Sequence, residues 1–352
     1  MSEQQAQDEP SPDELSPGTE EVAARREAEI HAFDNKFEGE TGRTPADTLP
    51  EELSVRERIF APELFATSYA RGSAQAYITP LPFVPRSPSI LDAFLFAILL
   101  TVGTLITTGF LGVALHFHWF GLRSFKAAQN DTRLALLSQL AIYLVALAGA
   151  LPLFRMVWDK DFLGGIHWHA GTAFRHKGKL VATAFGCNLI AVLGNYILPF
   201  PEHAPIDKLF ATTSDAWMLF AFGVTVAPFF EEMMFRGFLL PAMATAWDWS
   251  VERMTGAVPR PLDAQGNPVW SGAAMAFAAL IVSAPFALMH AAQVGNSWGP
   301  VSLLYCVSLV LCVVRLWTKS LAASTLVHAA YNFMLFSVML VETGGFRHLD
   351  KV

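Results

Sequence analysis

The stretch AQGNPVWSGAAMAFAALIVSAPFALMHAAQVGNSWGPVSLLYCVSLVLCVV, residues 264–314, holds no Asp, Glu, Lys or Arg in 51 positions. A helix needs about 20 apolar residues to cross a bilayer core, so this run is too long for one crossing. The turn chemistry of Gly295-Asn296-Ser297-Trp298-Gly299-Pro300 divides it into two spans. Downstream, Ser320–Val341 reads as a last span. Upstream, Ala93–Trp119, Leu134–Phe154 and Leu180–Pro201 read as the first three, and Ala216–Phe230 opens a fourth. The expected fold is all-α: a polytopic transmembrane helix bundle of about seven spans.

Composition agrees. Only 16% of the 352 residues are charged and 53% are apolar, whereas a soluble domain carries about 25% charge. A disordered, collagen-like or disulfide-framework chain is excluded. Residues 1–89 hold 17 acidic and 8 basic residues; residues 90–352 hold 14 and 16. The first segment reads as an acidic, largely disordered cytoplasmic tail and juxtamembrane region, and residues 90–201 as N-terminal transmembrane helices. No basic patch points to nucleic acid. Cys187, Cys306 and Cys312 are odd in number and lie in apolar runs, which supports neither a disulfide nor a thiolate metal site. No signal peptide is expected, because the N-terminus has no basic n-region and no apolar h-region.

With the N-terminus inside, the inner loops collect 11 Lys and Arg against 6 outside. This predicts a multi-pass protein of the cell (inner) membrane with a cytoplasmic N-terminus. Trp119, Trp158, Trp168, Trp247, Trp249, Trp298 and Trp317 fall near span ends, where interfacial anchoring is expected.

The fourth span carries three charges: Glu231, Glu232 and Arg236. Each costs roughly 2.5–3.5 kcal/mol at a helix centre, so such residues are functional candidates by default. Glu232 and Arg236 are four apart, share a face and can neutralise each other. Glu231 lies about 100° away round the helix and needs another partner. His290 closes one later span, and another carries His328 and Asn332 on one face. A carboxylate can take a proton from water, an imidazole can relay or donate one, and His with Asn can hold an oxyanion. His116, His118, His167, His169 and His176 read as span-end or loop groups. Pro228 and Pro285 lie just before Glu231 and His290, where each frees a carbonyl one turn upstream.

These residues spell EExxxR (Glu231, Glu232, Arg236), FxxxH (Phe286, His290) and HxxxN (His328, Asn332). In that order, on separate apolar helices, they resemble the CPBP (Abi) family of intramembrane proteases, which includes type II CAAX prenyl endopeptidases and bacteriocin-processing proteins. The resemblance covers residues 215–341, the expected catalytic transmembrane core. It implies that Glu231 is the water-activating base, with His290 beside it, and that His328 and Asn332 hold the oxyanion. Glu232 and Arg236 would support the site. Glu231, His290 and His328 are candidate zinc ligands by donor type. No HExxH is present, and the polar groups suffice for a metal-independent route, which is the reading favoured. The implied partners are the lipid bilayer and a protein or peptide substrate, prenylated or bacteriocin-like. Two other readings stand beside this one. The first is a non-proteolytic scaffold or bacteriocin-immunity protein. The second is a rhomboid-like serine protease built on Ser297 of Gly295-Asn296-Ser297-Trp298-Gly299, which leaves the three charges of the fourth span without a role.

Overall fold

The computed structural model describes residues 88–121, 124–201, 204–263 and 267–349. The acidic tail, to residue 87, lies outside the described residues. Among those described, seven helices are long and apolar enough to cross a membrane: α1 (Ile90–His116), α2 (Thr132–Trp158), α3 (Lys177–Ile197), α4 (Thr213–Thr255), α5 (Gly272–Met289), α6 (Trp298–Thr318) and α7 (Leu321–Glu342). The described part is helical, with no strand beyond one isolated bridge between Leu262 and Pro268.

The helix ends follow local chemistry. Ser89 and Asp92 form a capping box at the start of α1, with Ser89 N donating to Asp92 Oδ2 at 2.6 Å. This starts the helix at Ile90, before the charge-free run begins. Asp131 accepts from the N–H groups of Arg133 and Leu134 and so caps α2. The turn between α5 and α6 opens at His290 rather than Gly295. Gly299 and Pro300 already belong to α6, because proline is tolerated in the first turn of a helix, where its missing N–H has no intrahelical partner.

Among the described residues, three large apolar clusters organise the bundle. Phe96, Phe154, Phe230 and Phe238 join α1, α2 and α4, with Phe162 of the short helix Phe162–Gly165. Phe235, Ala278, Val282 and Phe286 join α4 and α5, with Cys312 of α6. Leu180, Ala184, Leu311, Val327 and Tyr331 join α3, α6 and α7. Helix α4 contributes to two of the three and is central. Helices α1 and α2 cross so closely that a Cβ at Gly103 would sit 2.8 Å from the Ile142 carbonyl oxygen. Outward positions such as Leu105, Phe110, Phe185 and Val313 are large, apolar and exposed, the surface that hydrocarbon wets.

Trp119, Trp249, Trp298 and Trp317 are exposed near helix ends, as interfacial anchors would be. Trp158 departs from that expectation. It is buried and stacks on Phe154 at 4.6 Å, because the short helix Phe162–Gly165 folds back over it.

Candidate active site

Helix α4 is not regular. Its 43 residues would reach about 65 Å at 1.5 Å per residue, beyond the hydrocarbon core. Two π-helical stretches, Phe222–Val226 and Met233–Leu239, flank the α-helical segment Ala227–Glu232. The N–H groups of Ala227 and Leu240 each reach back five residues, to the carbonyls of Phe222 and Phe235. Pro228 and Pro241 explain the placement. A proline ring crowds the carbonyl four residues before it and brings no N–H; the wider π turn absorbs both defects. Stretches of this kind occur often at functional sites.

The first of these defects leaves the Gly223 carbonyl with no helical donor, since Ala227 bonds to Phe222 and Pro228 has no N–H. Asn332 Nδ2 of α7 donates to that oxygen at 2.8 Å. Glycine is needed there, because a Cβ would meet the Phe336 ring at 2.8 Å. One amide hydrogen of Asn332 thus holds α7 to α4, and the second is left over.

Glu232 and Arg236 pair as their spacing requires: Arg236 Nη1 donates to Glu232 Oε1 at 3.0 Å, with both side chains wholly buried. Arg236 Nη2 also donates to the Ser308 carbonyl at 3.0 Å and to Ser308 Oγ at 2.6 Å. The guanidinium lies 4.4 Å from the centre of the Phe286 ring, a cation–π contact. Nothing in the sequence marked Ser308, a lone serine in an apolar helix.

Glu231 faces the other way, toward both histidines. Its Oε2 lies 3.8 Å from His290 Nε2 and 3.7 Å from His328 Nε2. His290 stands at the C-terminal end of α5 and donates from Nδ1 to the Phe286 carbonyl at 2.8 Å. His328 Nδ1 lies 3.1 Å from Glu232 Oε1. A carboxylate paired with arginine only accepts, so His328 Nδ1 carries the proton. With Nδ1 engaged on each ring, both imidazoles turn Nε2 toward the same Glu231 oxygen. His328 bridges the two carboxylates.

The structure thus gathers Glu231, Glu232, Arg236, His290 and His328, and sets Asn332 one turn from His328. Ser297 is occupied elsewhere: its hydroxyl donates to the Pro199 carbonyl at 3.1 Å, and among the described residues it bonds to no histidine. Carboxylate and imidazole suit zinc by type. As placed, however, no group of three His, Cys, Asp or Glu side chains among the described residues is disposed to hold a metal ion.

The described bundle gathers carboxylates and imidazoles inside apolar spans long enough to cross a membrane. Residues 213–334 match the family model described as type II CAAX prenyl endopeptidase Rce1-like, consistent with a CPBP-family intramembrane protease. No curated protein and no solved structure matches the chain.

Proposed function

We propose that the protein hydrolyses a peptide bond within the bilayer with a water molecule activated by Glu231, and that residues 215–341 are its catalytic core. The observation that carries this reading is the single carboxylate oxygen of Glu231 facing two imidazole Nε2 atoms at 3.7 and 3.8 Å. Those separations exceed a direct hydrogen bond and match two groups that share a small third partner.

Glu231 takes one proton from water, and His290 Nε2 accepts the second hydrogen bond and orients the oxygen. The water oxygen then adds to the carbonyl carbon of the scissile bond. The second amide hydrogen of Asn332, with His328 when its ring is protonated, faces the resulting oxyanion. Collapse returns the proton from Glu231 to the leaving nitrogen. Glu232 holds the orientation of His328, and Arg236 holds the charge of Glu232. Each of these steps uses only the chain's own groups and water.

The Lys and Arg bias supports a cytoplasmic N-terminus in the inner membrane. The likeness of residues 213–334 to type II CAAX prenyl endopeptidases supports a prenylated C-terminal peptide as one substrate class, and a bacteriocin-like precursor is the other. The test is cleavage of a peptide library by the protein in proteoliposomes, read by mass spectrometry with ¹⁸O-labelled water. Products carrying one ¹⁸O, absent with Glu231→Gln, are expected. Equal cleavage by wild type and Glu231→Gln would refute the role of Glu231.

A further inference from the structure

The segment between α2 and α3 delivers His167 into the interior of the bundle. Its side chain is buried at 6% exposure and its backbone is left-handed, with φ 59°. That conformation is uncommon outside glycine, and the surroundings must hold it. Three separate elements do so. Arg315 Nη2 of α6 lies 2.6 Å from His167 Nδ1. His167 Nε2 lies 2.9 Å from Asn267 Oδ1, in the α5-proximal loop. The Leu321 N–H at the start of α7 donates to the His167 carbonyl at 3.0 Å.

A guanidinium only donates, so Nδ1 must be bare and Nε2 must carry the proton that Asn267 accepts. Burial first, and Arg315 second, hold the imidazole pKa down to about 3, so this neutral form persists at ordinary pH. Arg315 is itself wholly buried, and its Nε has no partner among the described residues.

Both helices gripped by His167 carry site residues two turns away. Ser308, which receives Arg236, precedes Arg315 by seven residues, and His328 follows Leu321 by seven. Seven residues are about two turns and about 10 Å, and they return to the same face. We propose that His167 is a positioning residue of the active site: it holds Arg315 and the Leu321 N–H together, fixes α6 against α7 along their axes, and so sets Ser308 and His328 against α4. His167 lies outside the segment that the family model matches. The proposal rests on the reading of Glu231 and His328 as the reaction centre.

The experiment compares His167→Leu, His167→Gln and the double variant His167→Leu with Arg315→Met. Glutamine offers both an acceptor for Arg315 and a donor for Asn267, and the double variant replaces the buried polar pair with apolar side chains. His167→Leu should lower kcat by about 10²-fold, the cost of a displacement near 1 Å, with KM within about threefold. His167→Gln should recover most of that turnover. The double variant should regain thermal stability but not turnover. If it regains both, or if His167→Leu turns over normally, the clamp only fills space and the proposal fails. Spin labels at the lipid-facing positions Val313 and Phe333 read the α6–α7 distance without any assay of cleavage. A shifted or broadened distance is expected in the double variant and a wild-type distance in His167→Gln; an unchanged distance in the double variant overturns the clamp. This readout stands even if Glu231→Gln refutes the reaction centre.

Discussion

Arg236→Met removes the cation from a pair whose two side chains are both wholly buried. Methionine keeps much of the volume and the contact with Phe286, so the change isolates charge and hydrogen bonds. Glu232 is left as a buried carboxylate with His328 as its remaining donor, and the Ser308 carbonyl and hydroxyl lose theirs. Breaking a buried ion pair from one side costs about 3–5 kcal/mol, a large share of a total of about 5–15 kcal/mol. At about 2–4 °C per kcal/mol, the Tm should fall by roughly 6–20 °C. Thermal unfolding in one detergent, followed by tryptophan fluorescence, measures this. Adding Glu232→Gln should restore much of the loss, since the amide oxygen still accepts from His328 and no charge is stranded. A single variant that melts within about 2 °C of wild type, or a double variant no better than the single, would refute the reasoning.

Asn332→Ala should lower turnover by about 10²–10³-fold if the free amide hydrogen serves the oxyanion. It should also cost stability, because the Gly223 carbonyl loses its donor; steady-state kinetics beside thermal unfolding separate the two, and lost stability with normal kcat would leave Asn332 a helix tie. Elemental analysis of active protein should find no stoichiometric zinc, and chelation should leave activity intact; a bound equivalent of zinc released by His290→Ala would reverse that expectation. His167 is held neutral with its pKa near 3, so the unfolded chain binds its proton first as pH falls. Stability from this group is complete above about pH 6.5 and drops by about 1.4 kcal/mol per pH unit below it, down to about 3. Between pH 7.5 and 5.0 the wild type should lose about 2 kcal/mol that His167→Gln does not lose, measured as the difference in their denaturation midpoints.

The spans were legible because lipid forbids charge: the 51-residue run and its neighbours could be little else. The Glu232–Arg236 pair was legible because helix geometry places residues four apart in contact. That Glu231 needed other partners followed from the same rotation, and the two histidines were named from their place on later spans. The π stretches were only half visible. Pro228 signalled a freed carbonyl, but the wider turn that absorbs it, and the match between that carbonyl and Asn332, depend on α7 lying alongside. In the sequence Arg315 is only one of the 11 inner bases that set the charge bias, and His167 reads as a loop group. Their contact spans 148 positions and leaves no periodic trace. Trp158 was placed at the interface by its position near a span end, before the fold-back of Phe162–Gly165 could be seen.

The difference in reach between the two carboxylates bears on how the chain is made. Glu232 meets its counter-charge one turn later, so the ribosome releases the two almost together and α4 can leave the translocon with that pair already neutral. Ser308, which completes the shell of Arg236, emerges 72 residues after it, and His328 emerges 96 residues after Glu232. Glu231 waits for both α5 and α7. During that interval neither of the imidazoles that face it in the finished protein has emerged. The cluster around Glu231 is therefore closed only when the last helix docks.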